Sequence, residues 1–147
     1  MPRRPRSDLP DGLFHVTSRG VAKSEIFRDD FDRAAFRELL IRAGARFALR
    51  IDAWCLMTTH FHVVAAAPRP ALSTAMHRLN GLYAQRFNLR HERRGHLFEN
   101  RFSAHVLDSD RHWENACRYV FNNPVDAGLC ARAEEWPWSG GLFRAVR

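Results

Sequence analysis

The sequence predicts a single α+β domain. Strand-like and helix-like stretches succeed one another along the whole chain. Two of the strand-like stretches, Phe47 to Met57 and His60 to Ala67, are separated only by Thr58-Thr59, so they are antiparallel neighbours. The chain has 147 residues, 46% of them hydrophobic, which is enough for one core.

The elements follow in order. Residues 1–10 form a basic arm, expected to be flexible, because Met1-Pro2-Arg3-Arg4-Pro5-Arg6 is broken by proline and can neither continue a helix nor sit in a central strand. Residues 11–147 form the single domain. Leu13 to Ser18 is rich in β-formers and is closed by Arg19-Gly20, which gives a first strand. Asp29-Asp30 caps a helix whose Phe31, Ala34, Ala35, Leu39, Leu40 and Ala43 recur at helical spacing, ending near Gly44. The two hairpin strands come next. Pro68-Arg69-Pro70 ends the second of them and opens a helix over about 71–88, with Leu72, Met76, Leu79, Tyr83 and Phe87 as its core stripe. Arg101 to Leu107 alternates as a fourth strand. Asp108-Ser109-Asp110 then caps a last helix over about 111–122, with Trp113, Ala116, Cys117 and Val120 on its apolar stripe. Pro124 is expected to end that helix, and Trp136-Pro137-Trp138 to cover the core.

Composition narrows the function. No apolar run approaches the roughly 18–20 residues of a membrane span, and no signal-peptide pattern opens the chain. A soluble, cytoplasmic protein is expected. Cys55, Cys117 and Cys130 lack C-x-x-C spacing, which suggests neither a disulfide framework nor a thiolate zinc site. Lys+Arg 23 against Asp+Glu 16 leaves +7, which suits a polyanionic partner. Lys23 is the only lysine, so every other basic residue is an arginine, able to pair with phosphate and stack on bases. GC-rich coding would produce the same bias. His91 to Asn100 interleaves arginine, histidine and phenylalanine, as single-stranded nucleic acid requires of its binders. The candidate DNA contacts are Arg3, Arg4, Arg19, Arg93, Arg94, His96 and Arg101.

Three local patterns carry chemistry. In a strand, His60 and His62 point to one face while Phe61 points to the other. Two imidazoles on one face can share a metal ion if a third ligand arrives from elsewhere; they can equally be a pair on a half-exposed strand. His15-Val16-Thr17-Ser18 matches half of a paired His-x-Thr phosphoesterase pattern. No second copy exists, so His15 reads as structural or substrate-adjacent. The only tyrosines are Tyr83, inside the stripe of its helix, and Tyr119, on the flank of its own beside Asn115 and Asn123.

Taken together, Leu56-Met57 before His60-Phe61-His62, then Arg94-Gly95-His96-Leu97-Phe98-Glu99-Asn100-Arg101-Phe102, then Arg118-Tyr119-Val120-Phe121-Asn122-Asn123-Pro124 resemble the single-tyrosine HUH transposases. The resemblance is closest to the REP-associated tyrosine transposases and covers nearly the whole chain. It implies a ferredoxin-like (RRM-like) antiparallel sheet with helices on one side and the histidine strand central. It implies Tyr119 as nucleophile, His60, His62 and Asn123 as metal ligands, and Mg²⁺ or Mn²⁺ as the ion. A phenol is almost wholly protonated at neutral pH, so its attack relies on the ion to make the phosphate more electrophilic. The implied activity binds a hairpin of single-stranded DNA, then cuts and rejoins strands through a 5′-phosphotyrosine, as in mobilisation of REP elements. The implied partner is that hairpin; the protein would be a monomer or homodimer, nucleoid-associated when on DNA. Where the family carries Pro-Asn before the first histidine, this chain has Thr58-Thr59. A hairpin-binding module without cleavage is the alternative on the same fold.

Overall fold

The computed structural model describes residues 12–143; the arm of residues 1–10, with Arg3 and Arg4, lies outside them. Five strands form one antiparallel sheet in the order β4-β1-β3-β2-β5. They are β1 (Gly12–Arg19), β2 (Arg50–Leu56), β3 (His60–Ala67), β4 (Ser103–Leu107) and β5 (Ser139–Gly140). The histidine strand β3 is therefore central, as expected, and its His-Phe-His-Val-Val-Ala-Ala-Ala sequence is buried along most of its length. Its hairpin with β2 closes through a Met57 N–H to His60 carbonyl bond of 3.0 Å. Alternation then sorts the side chains. Phe61, Val63 and Ala65 join one core, whereas Val64 joins another on the far face of the sheet.

The helices α1 (Asp30–Arg46) and α2 (Arg69–Arg90) cover the Phe61 face. There Phe14, Val16, Phe36, Met76, Tyr83 and Phe87 close the larger core. Asp29 caps α1 by accepting from the Asp32 N–H at 3.0 Å. Pro70 stands in the first turn of α2, where its missing N–H costs nothing.

The third helix, α3 (Asp110–Asp126), corrects the expectation that all helices lie on one side. It packs on the opposite face, where Ala116, Cys117, Val120 and Phe121 meet Ala53, Cys55, Met57 and Val64. Those four residues are apolar and would otherwise face water, so the second face needs a cover of its own. Pro124 does not end α3 either; it lies inside the helix. Pro124 gives up one backbone hydrogen bond, and its own apolar burial offsets part of that loss.

Two features of β2 lock α3 in place. Its pairing with β3 slips between Ile51 and Ala53, a bulge that puts consecutive residues on one side of the strand. Ala53 accordingly packs under α3, and the buried Asp52 accepts from the Trp113 indole N–H of α3 at 2.9 Å. Arg50 holds the same carboxylate through two bonds of 2.8 and 3.0 Å. The short strand β5 then pairs with Trp54 and Cys55. Gly141 follows at φ +125°, and a β-carbon there would come within 2.5 Å of the Asp52 carbonyl oxygen. Only glycine fits that approach. Trp136 and Trp138 pack against opposite cores, as a cover should. Among the described residues, no helix is long and apolar enough to cross a membrane.

Candidate active site

Register builds the site. The antiparallel pairing of β1 with β3 sets Thr17 opposite His62 and Arg19 opposite His60. The pairing of β1 with β4 sets His15 opposite His105. His15, Thr17 and Arg19 alternate along β1, so they share the α3 face with the histidine pair. The turn before His60 is held by its own backbone. The Thr58 carbonyl accepts from the Ile26 N–H at 2.9 Å, and the Thr59 carbonyl from the Gly20 N–H at 2.8 Å. Any residue pair can offer those carbonyls, so Thr58-Thr59 serves there. Thr59 adds its hydroxyl, 3.2 Å from His60 Nδ1.

From the other side, α3 brings Tyr119 and Asn123 down onto these histidines. They are four residues apart, one helical turn, and so lie on one flank. Asn123 is buried, with its Oδ1 3.3 Å from His60 Nε2. The Tyr119 ring stands edge-on to His62 at 5.5 Å between centroids and to His15 at 5.9 Å, yet it remains 48% exposed. Tyr83, by contrast, is buried, and its hydroxyl donates to the Ile26 carbonyl. Burial pushes that phenol well above its ordinary range.

His60, His62 and Asn123, separated by as many as 63 residues in sequence, thus meet in one corner. His62 Nε2 is buried with no hydrogen-bond partner among the described residues. Cis ligands of an ion bound at about 2.1 Å stand about 3 Å apart, close to the His60–Asn123 spacing. Two imidazole nitrogens and an amide oxygen are donors that Mn²⁺ or Mg²⁺ accepts. The residues present therefore fit a divalent ion. Among the described residues no cluster of three His, Cys, Asp or Glu side chains could hold one, and Asn123 is the third polar side chain at this corner.

Electrostatics keep the imidazoles neutral. Burial, then His15, His60 and Arg19, lower the pKa of His62 from 6.5 to about 2. Burial, then His105 and His112, lower that of His15 to about 4. His60 is lowered by burial and by Arg19, against the pull of its bond to Asn123. A neutral ring offers its lone pair to a metal without first releasing a proton.

The candidate DNA contacts divide. Arg19 is exposed beside the histidine pair. Arg93 folds back, donating to Asn88 Oδ1 and to the His96 carbonyl at 2.8 Å, so it shapes its own loop. Arg94 is exposed. His96 and Arg101 line a groove of about 1050 Å³ against α2, together with Arg46, His77 and Arg78. That groove belongs to the α1–α2 side, away from Tyr119. His15 and Thr17, by contrast, were not among the expected site residues. The signal for them was the half His-x-Thr pattern, whose period of two places both residues on one face of β1; the register with β3 makes that the His62 face.

Comparison with known proteins identifies the family and the fold. The model of a family described as IS200-like transposase matches residues 11–123. No curated protein matches the sequence. Among solved structures, the fold is similar to that of a REP-associated tyrosine transposase bound to a REP hairpin, with a TM-score of 0.74 and 18% identity. That alignment covers 95% of this chain and 82% of the other. It is also similar to a candidate transposase from Deinococcus radiodurans R1, with a TM-score of 0.53 and 15% identity over 82% of this chain and 97% of that one. At these identities the likeness establishes the fold.

Proposed function

Because the chain belongs to the IS200-like transposase family, we propose that it cuts and rejoins single-stranded DNA beside a hairpin, with Tyr119 as the nucleophile. The observation that carries this reading is the position of Tyr119: exposed, edge-on to His62, and one turn from the asparagine that meets His60. His60, His62 and Asn123 would hold Mg²⁺ or Mn²⁺. When bound, the ion supplies positive charge to a non-bridging oxygen of the scissile phosphate. The Tyr119 oxygen forms a bond to phosphorus and loses its proton to solvent. The bond from phosphorus to the 3′ oxygen breaks, and that oxygen takes up a proton as a free hydroxyl. The 5′-phosphotyrosine conserves the phosphodiester energy, so a second 3′ hydroxyl can reverse the step onto another strand.

Arg19, Arg94, His96 and Arg101 are the described candidates for holding the DNA backbone. The hairpin partner is suggested by the REP-hairpin complex that shares the fold. With such a partner the protein would act at REP-type elements on the nucleoid, as a monomer or homodimer.

A denaturing gel of labelled hairpin DNA, run with and without Mn²⁺, tests the reading. A slower, protease-sensitive band is expected that requires metal and vanishes in Tyr119→Phe and His62→Ala. Shifts of the hairpin in native gels with no covalent band from the unsubstituted protein would leave a binding module instead.

A further inference from the structure

Two side chains converge on one nitrogen of the candidate site. His15 Nε2 stands 3.0 Å from His62 Nδ1, and Thr17 Oγ1 stands 3.1 Å from the same atom. An imidazole nitrogen carries either one hydrogen or one in-plane lone pair. One N–H can be shared by two acceptors, a three-centre arrangement common in proteins. One lone pair approached by two donors instead brings two hydrogens together and serves neither well. The convergence is therefore that of a protonated Nδ1 donating to both neighbours.

The other nitrogen of the ring agrees. His62 Nε2 is buried and has no partner among the described residues. A hydrogen there would be a buried, unmatched donor, a rarer fault in folded proteins than an unmatched acceptor. A lone pair there is what a metal ligand presents. Thr17 alone could not impose this choice, because a hydroxyl rotates to donate or to accept. The presence of a second partner on the same nitrogen decides it, because only a hydrogen on Nδ1 serves both at once. His15 then carries its own hydrogen on Nδ1. It lines a cleft of about 560 Å³ with His105, His112, Asn115 and Tyr119, polar surroundings in which that N–H can be solvated.

We propose that His15 is a positioning residue: with Thr17 it holds His62 as the Nδ1–H tautomer and keeps the Nε2 lone pair free for a divalent cation beside His60 and Asn123. This rests on the reading of that corner as metal-holding, and the test separates the two. The full-length protein, labelled with ¹⁵N-histidine and free of metal and DNA, is examined at neutral pH by long-range ¹H–¹⁵N correlation. His62 is expected with a protonated Nδ1 and a bare Nε2. In His15→Leu the resonances shift toward a mixture of tautomers, and the Kd for Mn²⁺ read by electron paramagnetic resonance rises about tenfold or more. In His15→Gln, whose amide oxygen can accept, tautomer and affinity are retained. A hydrogen on His62 Nε2 in the unsubstituted protein overturns the proposal, and that spectrum decides even if His15→Leu fails to fold. Unchanged tautomer and Mn²⁺ affinity in folded His15→Leu also overturn it. The expected tautomer in a protein that binds no Mn²⁺ would overturn the metal reading and support the tautomer assignment.

Discussion

Burial holds His15 and His62 uncharged well into the acidic range and lowers His60 in the same direction, and that neutrality makes acid a stress on the fold. In the unfolded chain each imidazole takes a proton near pH 6.5; in the folded chain His15 does so only near 4 and His62 near 2. Between those values the unfolded state binds more protons, so stability is highest above about pH 6.5 and falls as pH falls. The slope is at most about 1.4 kcal/mol per pH unit for each group. Urea unfolding should therefore show a lower midpoint at about pH 5 than at about pH 7.5, and His62→Gln should flatten the dependence. A midpoint independent of pH over that range would refute the assignment. At this scale the sequence revealed the pair His60/His62 through its period of two and Tyr119 through its place off the helix stripe. Its half His-x-Thr pattern put His15 and Thr17 on one face of a strand but could not join them to His62, because cross-strand register is a property of two strands and neither contains the information alone.

The element that assembles the site is α3, since it carries Tyr119 and Asn123 together. Its place depends on the Trp113 indole bonded to the buried Asp52 at the bulge of β2. Trp113→Phe keeps the ring packing and removes that donor, at a cost of about 1.5–3 kcal/mol for a bond to a charged group. Urea unfolding should register the loss. Strand cutting should fall further than hairpin affinity, because the proposed nucleophile shifts while the basic surfaces remain. The helices, the hairpin and β4 were legible because each has its own periodicity. The side of the sheet that α3 would choose was not. An apolar stripe states that a helix needs a partner face, but β2 and β3 offer apolar residues on both. The two-residue β5 carries no periodicity at all; Gly141 fits it against the β2 backbone, a contact between segments about ninety residues apart in sequence.

Across the whole molecule, the sheet separates two surfaces of different character. One bears the tyrosine and histidines under α3; the other bears the arginine-lined groove along α2. The order of strands sets the two on opposite faces of one sheet. A further consequence lies in where Tyr119 reaches. It stands over the histidines of its own polypeptide, so one copy contains the proposed nucleophile and the proposed ligands together. Cleavage should then be first order in protein: the initial rate per molecule, on saturating hairpin, stays constant on serial dilution. Mixing Tyr119→Phe with His62→Ala chains should restore no cutting, because neither can lend the other its missing half. A rate that collapses on dilution, or a mixture that regains activity, would mean that two chains trade helices to work.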